Sequence, residues 1–205
     1  MAADYAQPSV FIVDDDDAVS GALRLLMKSI GLPTALYTSA RSFLADFDND
    51  RRGCLVLDIR MPEMTGLELQ RELLRRNAII PIIFITGHGD VPMAVEAMKS
   101  GAADFVQKPF RDQDLIDRIH QALAEDAGNR ARLSQISEIQ TCLQRLTMRE
   151  RQVMDLVVHG TANKVIAMEL EIADRTVEVH RARAMEKMGA RSLAHLIRMV
   201  ALTRS

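Results

Sequence analysis

Five short apolar runs, each followed by an amphipathic stretch of helical period, fill the first 125 residues, and few folds accommodate such a pattern. The runs at 10–13, 53–57 and 82–85 are bounded by turn formers or charges, as buried strands are. Weaker runs lie at 34–37 and 104–106. Between and after them, 18–30, 39–47, 66–76, 91–100 and 112–123 carry apolar residues three or four apart. A fivefold β-α alternation predicts a parallel sheet covered by helices on both faces. In such a sheet ligands gather beyond the carboxyl ends of the strands.

From about residue 133 no strand pattern remains. The chain instead reads as helices at 148–159, 163–170, 174–187 and 192–202, a second and all-α domain. The polar stretch 125–141 joins the two; Leu133, Ile136, Ile139 and Leu143 are spaced as on a helix, and Gly128 with Asn129 marks a place where it can break. Charge divides at the same point. Residues 1–125 hold 13 Lys and Arg against 19 Asp and Glu, a net of −6, whereas 126–205 hold 13 against 9, a net of +4. An acidic domain joined to a basic one suggests different partners, with the basic half suited to a polyanion.

Composition removes other classes. No apolar run approaches the roughly 20 residues of a bilayer span, and no basic segment precedes an apolar one at the start, so the chain is expected in the cytoplasm with no membrane partner. Cys54 and Cys142 lack any C-x-x-C spacing and read as reduced packing thiols; the histidines form no i, i+4 pair. A bound cation would therefore be held by oxygen.

Such oxygens accumulate at the strand ends. Asp14 and Asp15 follow the first run and Asp58 follows the third, so the sheet should carry these carboxylates to one edge. Anions that close repel one another unless their pKa values rise or a divalent cation neutralises them, and Mg²⁺ suits oxygen ligands with room for water. Of the neighbouring acids, Asp16 or Asp17 is expected to cap the following helix. Thr86 follows the fourth run and Lys108 the fifth. A carboxylate nucleophile, a cation site, a hydroxyl and an ammonium at one edge suit phosphoryl transfer to an aspartate.

The segments V-F-I-V-D-D-D-D (10–17), L-V-L-D-I-R-M-P-E-M-T-G (55–66), I-F-I-T-G-H-G-D (83–90) and D-F-V-Q-K-P-F (104–110) resemble the receiver domain of two-component response regulators. The run from Thr86 to Gly101 resembles the FixJ-type subgroup in particular. The resemblance implies a doubly wound, flavodoxin-like five-stranded parallel sheet of order 2-1-3-4-5. It implies Asp58 as phosphoacceptor; Asp14, Asp15, Asp58 and the Arg60 carbonyl around Mg²⁺; Thr86 and Lys108 on the phosphoryl oxygens; and a cis Lys108–Pro109 bond. It further implies that Thr86 and Phe105 form a switch, Phe105 turning inward when Thr86 moves toward the phosphoryl group, although Phe105 also reads as an ordinary core aromatic. Arg60 and His88 stand where the family tunes hydrolysis of the acyl phosphate. Haloacid-dehalogenase-like phosphatases also use an aspartyl nucleophile after a parallel strand, but need a second acid two residues on, where this chain has Arg60.

In the helical half, Thr147 and Glu150 have capping-box spacing, and a short helix, a turn and a basic helix follow. L-T-M-R-E (146–150), N-K-V-I-A (163–167) and R-T-V-E-V-H-R (175–181) resemble the LuxR-type helix-turn-helix. The resemblance places Thr176, Glu178, Val179, Arg181 and Ala182 on or beside the groove-facing side, with Lys164 and Arg183 near phosphates; Arg175, on the same basic helix, is also expected to bind DNA. Glu171 replaces a turn glycine and Ala173 a capping serine of many relatives, a cap that Asp174 is expected to supply.

The expected organisation is a receiver at 8–124, a helical linker at 125–142 and a separate four-helix DNA-binding domain at 143–205. The expected function is a phosphorylation-controlled transcription regulator, an activator by analogy and not a dedicated enzyme. Its expected partners are a sensor histidine kinase, promoter DNA and RNA polymerase, with homodimer formation on phosphorylation. The competing reading is a phosphate-independent scaffold whose helical domain binds protein.

Overall fold

A computed structural model describes residues 7–87 and 91–203. In chain order the elements are β1 (Ser9–Val13), α1 (Asp17–Ser29), β2 (Thr34–Tyr37), α2 (Ala40–Asp46), β3 (Gly53–Asp58), α3 (Gly66–Arg75), β4 (Ile82–Thr86), α4 (Val91–Lys99), β5 (Asp104–Gln107), α5 (Asp112–Gln144), α6 (Met148–Val158), α7 (Asn163–Glu169), α8 (Asp174–Lys187) and α9 (Leu193–Leu202). The strands form one parallel sheet of order β2-β1-β3-β4-β5, the order that the receiver resemblance implies. Two compact units result, Met1–Arg130 and Ala131–Ser205.

Along each strand alternate residues face opposite sides of the sheet. Phe11, Val13, Leu55, Leu57 and Phe84 pack with Phe43 of α2 and Leu69 and Leu73 of α3. Val10, Ile12, Cys54, Val56, Ile83 and Ile85 pack with Leu23 and Met27 of α1 and Leu115 and Ile119 of α5. With both faces covered, the central strands β3 and β4 are almost wholly buried, which is why they read as continuous apolar runs.

Asp16 caps α1, its carboxylate accepting from the Ala18 and Val19 amides. Thr65 and Glu68 close a reciprocal capping box at the start of α3, and Thr147 and Glu150 do so at α6. In the second unit, one cluster centres on Ile139, Met154, Ala184, Met188, Leu196 and Val200, and another on Val153, Val157, Ile166 and Val177.

The structure corrects two sequence expectations. Helix α5 runs without interruption through Gly128 and Asn129, where the sequence allows a break; residues 125–142 are helical throughout, as their spacing predicts. Ala173 is the N-cap of α8 with no side-chain hydrogen bond; Asp174 is the first helical residue, where a carboxylate favours the helix dipole without capping. Glu171 adopts φ 54°, the left-handed turn conformation that glycine holds at lower cost.

Candidate functional site

The parallel register brings the ends of β1, β3 and β4 level, and the backbone then closes the edge: the Lys108 amide donates to the Thr86 carbonyl at 2.7 Å. Lys108 thereby projects from the end of β5, before a cis bond to Pro109, toward the carboxylates of β1 and β3. Its Nζ donates to Asp14 Oδ2 at 3.1 Å and to Asp58 Oδ1 at 3.0 Å. The remaining oxygens are also engaged. Asp14 Oδ1 accepts from the Asp16 amide at 2.9 Å, and Asp58 Oδ2 from the Arg60 amide at 2.7 Å.

Asp14 and Thr86 are buried, while Asp58 retains a side-chain exposure of 13%. Asp58 is thus the carboxylate of the pair that an incoming group can reach. Burial pushes its carboxyl above the ordinary aspartate value and the Asp14 charge adds to this, against the opposing pull of Lys108 and the Arg60 amide. For Lys108 burial works against the ammonium, but hydrogen bonds and charge from Asp58 and Asp14 outweigh it and hold its pKa above the ordinary lysine value. One ammonium shared by two carboxylates leaves the trio with a net negative charge.

The loop from Asp58 to α3 is held against the strand end. The Gly66 amide donates to the Ile59 carbonyl, and a Cβ on Gly66 would lie 2.4 Å from the Asp58 carbonyl oxygen, so a larger residue would push α3 off the site. The S/T-x-x-E spacing of Thr65 and Glu68 was a readable signal for this helix start that the sequence reading passed over.

Of the three acids expected at this edge, the structure gathers Asp14 and Asp58. Asp15 is exposed, and among the described residues no three His, Cys, Asp or Glu side chains form a metal cluster. The donor set is nonetheless all oxygen, at a place where two carboxylates share a single positive charge. That chemistry fits a hard divalent cation. His88 lies outside the described residues.

Phe105, on β5, is 39% exposed and so is not a core aromatic. It lines a surface hollow of about 490 Å³ with Pro109, Phe110, Arg111, Asp114 and Arg118.

In the second unit, α7, a turn and α8 form a helix-turn-helix. Val177 and Ala184 are buried under α8, leaving Arg175, Thr176, Glu178, Val179, Ala182 and Arg183 exposed, with Lys164 exposed on α7. Arg181 is only half-exposed. Its Nη1 donates to Asn163 Oδ1 at 3.2 Å, so it braces α8 against α7. A pair not anticipated from sequence, Lys187 Nζ on Glu150 Oε2 at 2.6 Å, ties α8 to α6.

Comparison with known proteins agrees with both halves of this geometry. Residues 10–120 match the response regulator receiver domain, and residues 144–200 match the bacterial regulatory proteins of the luxR family. The chain is 48% identical over 190 residues to the response regulator protein TmoT of Ectopseudomonas mendocina, covering 93% of this chain and 86% of that protein. It is 49% identical to the transcriptional regulatory protein FixJ of Rhizobium meliloti (strain 1021), covering 93% and 94%. The structure of the response regulator StyR superposes with a TM-score of 0.83 at 46% identity, over 95% of this chain and 98% of that one. A receiver sheet with a lysine-bridged aspartate pair, followed by a LuxR-type helix-turn-helix, places this chain among the two-component response regulators, as a phosphorylation-controlled DNA-binding transcription regulator and not a dedicated enzyme.

Proposed function

We propose that Asp58 is the phosphoacceptor of a receiver spanning residues 8–124, that 125–142 form a helical linker, and that 143–205 bind promoter DNA. The observation that carries this reading is Lys108 Nζ held between Asp14 and Asp58 beside buried Thr86. A carboxylate oxygen of Asp58 attacks phosphorus on the phosphohistidine of a sensor kinase; an O–P bond forms as the P–N bond to the imidazole breaks. Lys108 moves from balancing the carboxylate to pairing with a phosphoryl oxygen, and the Thr86 hydroxyl donates to another. Asp14, Asp15, Asp58 and the Arg60 carbonyl would hold Mg²⁺, which would neutralise charge on the transferring group.

Phosphorylation changes the receiver surface through its different affinity for two states. When Thr86 turns toward the phosphoryl group, half-exposed Phe105 packs inward and alters the face formed by α4, β5 and the start of α5. We read the altered face as the trigger for homodimer formation and for release of the DNA-binding domain. Lys164 and Arg183 then contact phosphates, while Arg175, Thr176, Glu178, Val179 and Ala182 approach base edges, with Arg181 positioning the helix. The product of this cascade is promoter activation through RNA polymerase in the cytoplasm, consistent with there being no helix among the described residues long and apolar enough to cross a membrane.

Incubation with acetyl phosphate and Mg²⁺ should label the wild-type chain, and Asp58→Asn should take no label and show no phosphodonor-dependent gain in duplex binding. Labelling of Asp58→Asn would remove Asp58 as acceptor. Equal duplex affinity with and without donor would favour constitutive DNA binding, whereas a duplex affinity that does not fall with salt would favour the phosphate-independent scaffold whose helical domain binds protein.

A further inference from the structure

The outward face of α8 has a composition unusual for a surface meant to approach DNA. At 100° per residue, the side opposite buried Val177 and Ala184 is a stripe of Arg175, Val179, Ala182 and, in the last turn, Glu186, with Glu178 on its border. Val179 is 42% exposed. Glu178 is also exposed, and among the described residues no hydrogen bond or ion pair engages it, although arginines stand three residues to either side. One of these, Arg181, is instead turned to Asn163. The helix therefore presents a free carboxylate and an apolar branched side chain side by side, flanked by basic residues.

These two side chains limit what can be read. A carboxylate only accepts hydrogen bonds and is repelled by the acceptor-rich edges of guanine. At adenine the N6 amine lies beside the N7 acceptor. Cytosine alone offers an N4 amine with no acceptor of its own at that edge. Val179 has no polar atom in its side chain and matches the C5 methyl group of thymine, while Ala182 is short enough to let the helix come close. We infer that this pair sets operator specificity: Glu178 selects a cytosine through its N4 amine and Val179 selects a neighbouring thymine through its methyl. The inference rests on the reading of residues 143–205 as DNA-binding.

The test is selection from a randomised duplex library by the full-length, acetyl-phosphate-treated protein, followed by affinity measurement on the selected duplex. Wild type should enrich a cytosine next to a thymine in each half-site and lose roughly tenfold when that cytosine is replaced. Glu178→Gln, whose amide both donates and accepts, should move the preference from cytosine to adenine. Replacing the thymine by deoxyuridine, which lacks only the methyl, should weaken wild type several-fold and leave Val179→Ala indifferent. If Glu178→Gln and Val179→Ala enrich the wild-type sequence and deoxyuridine has no effect, the inference falls while DNA binding stands. If the wild-type protein enriches no sequence and shows no salt-dependent duplex affinity, the DNA-binding reading falls and this one with it.

Discussion

Ala173 holds φ −72° and ψ 148° at the start of α8, the backbone of an N-cap, yet it has no side chain with which to accept from the amides of the first turn. Ala173→Ser should supply that acceptor and raise stability by about 1 kcal/mol, read as a higher urea midpoint; an unchanged midpoint would mean that solvent already satisfies those amides. Glu150 is the opposite case, a carboxylate with more partners than its exposed neighbours. The Lys187 ammonium, followed by the Thr147 amide, lowers its pKa to about 2. Because the folded value is depressed, the stabilisation is complete above the ordinary glutamate value of about 4.5 and fades as pH falls through the folded value. Urea midpoints of wild type and Glu150→Gln should therefore converge between pH 5 and pH 2, and a constant gap would show that the pair contributes nothing through ionisation. The capping role of Glu150 was visible in the T-x-x-E spacing. Its pairing with Lys187, 37 residues away, carries no local signature and needed the packed helices.

At the scale of elements, strands and helix starts were legible because period, turn formers and caps are local properties. The unbroken passage of α5 through Gly128 and Asn129 was not. Its first three turns show the apolar period against the sheet, but beyond them the exposed face is polar and Gly128 with Asn129 looks like a stop. The structure supplies the missing restraint. Asp126, 2% exposed, accepts from the Gly53 amide at 2.9 Å and from Arg130 Nε, while Arg130 donates to the Asn49 and Arg51 carbonyls. Gly53 is required there, with φ 141° and the Ser9 carbonyl where a Cβ would stand. This network fastens α5 to the start of β3 and offsets the roughly 1 kcal/mol that a helix-interior glycine costs. Asp126→Ala leaves the buried Gly53 amide without its acceptor and the mostly buried Arg130 guanidinium without its counter-charge, although the Asn49 and Arg51 carbonyls still accept from its Nη atoms. The expected loss is about 3 kcal/mol, toward the lower end for a broken buried pair because Arg130 keeps some access to water. Hydrogen exchange should accelerate at residues 49–53 and along the last turns of α5 before Arg130. Unaltered exchange there would mean that apolar packing alone holds the helix.

For the whole molecule, the division of charge into −6 and +4 was the earliest sign of two partners, but a sum over a sequence does not tell which cations are available. The structure separates them. Lys187 is committed to Glu150 and Arg181 to Asn163, whereas Lys164, Arg175 and Arg183 are exposed and make no ion pair among the described residues. Only a cation that neutralises a phosphate releases a counterion from the duplex, and each such contact adds about 0.9 to the steepness of log affinity against log salt. Lys164→Ala and Arg183→Ala should thus each flatten that slope by about 0.9 and weaken binding to all duplexes alike. Lys187→Met should lower stability at unchanged slope, since its charge is already balanced within the protein. Val179→Ala should lower affinity for the preferred duplex, again at unchanged slope, because an apolar contact displaces no ions. Slopes measured on one duplex from low to high salt decide the matter: if Lys187→Met flattens the line as much as Lys164→Ala does, α8 must rearrange on DNA and surrender its link to α6.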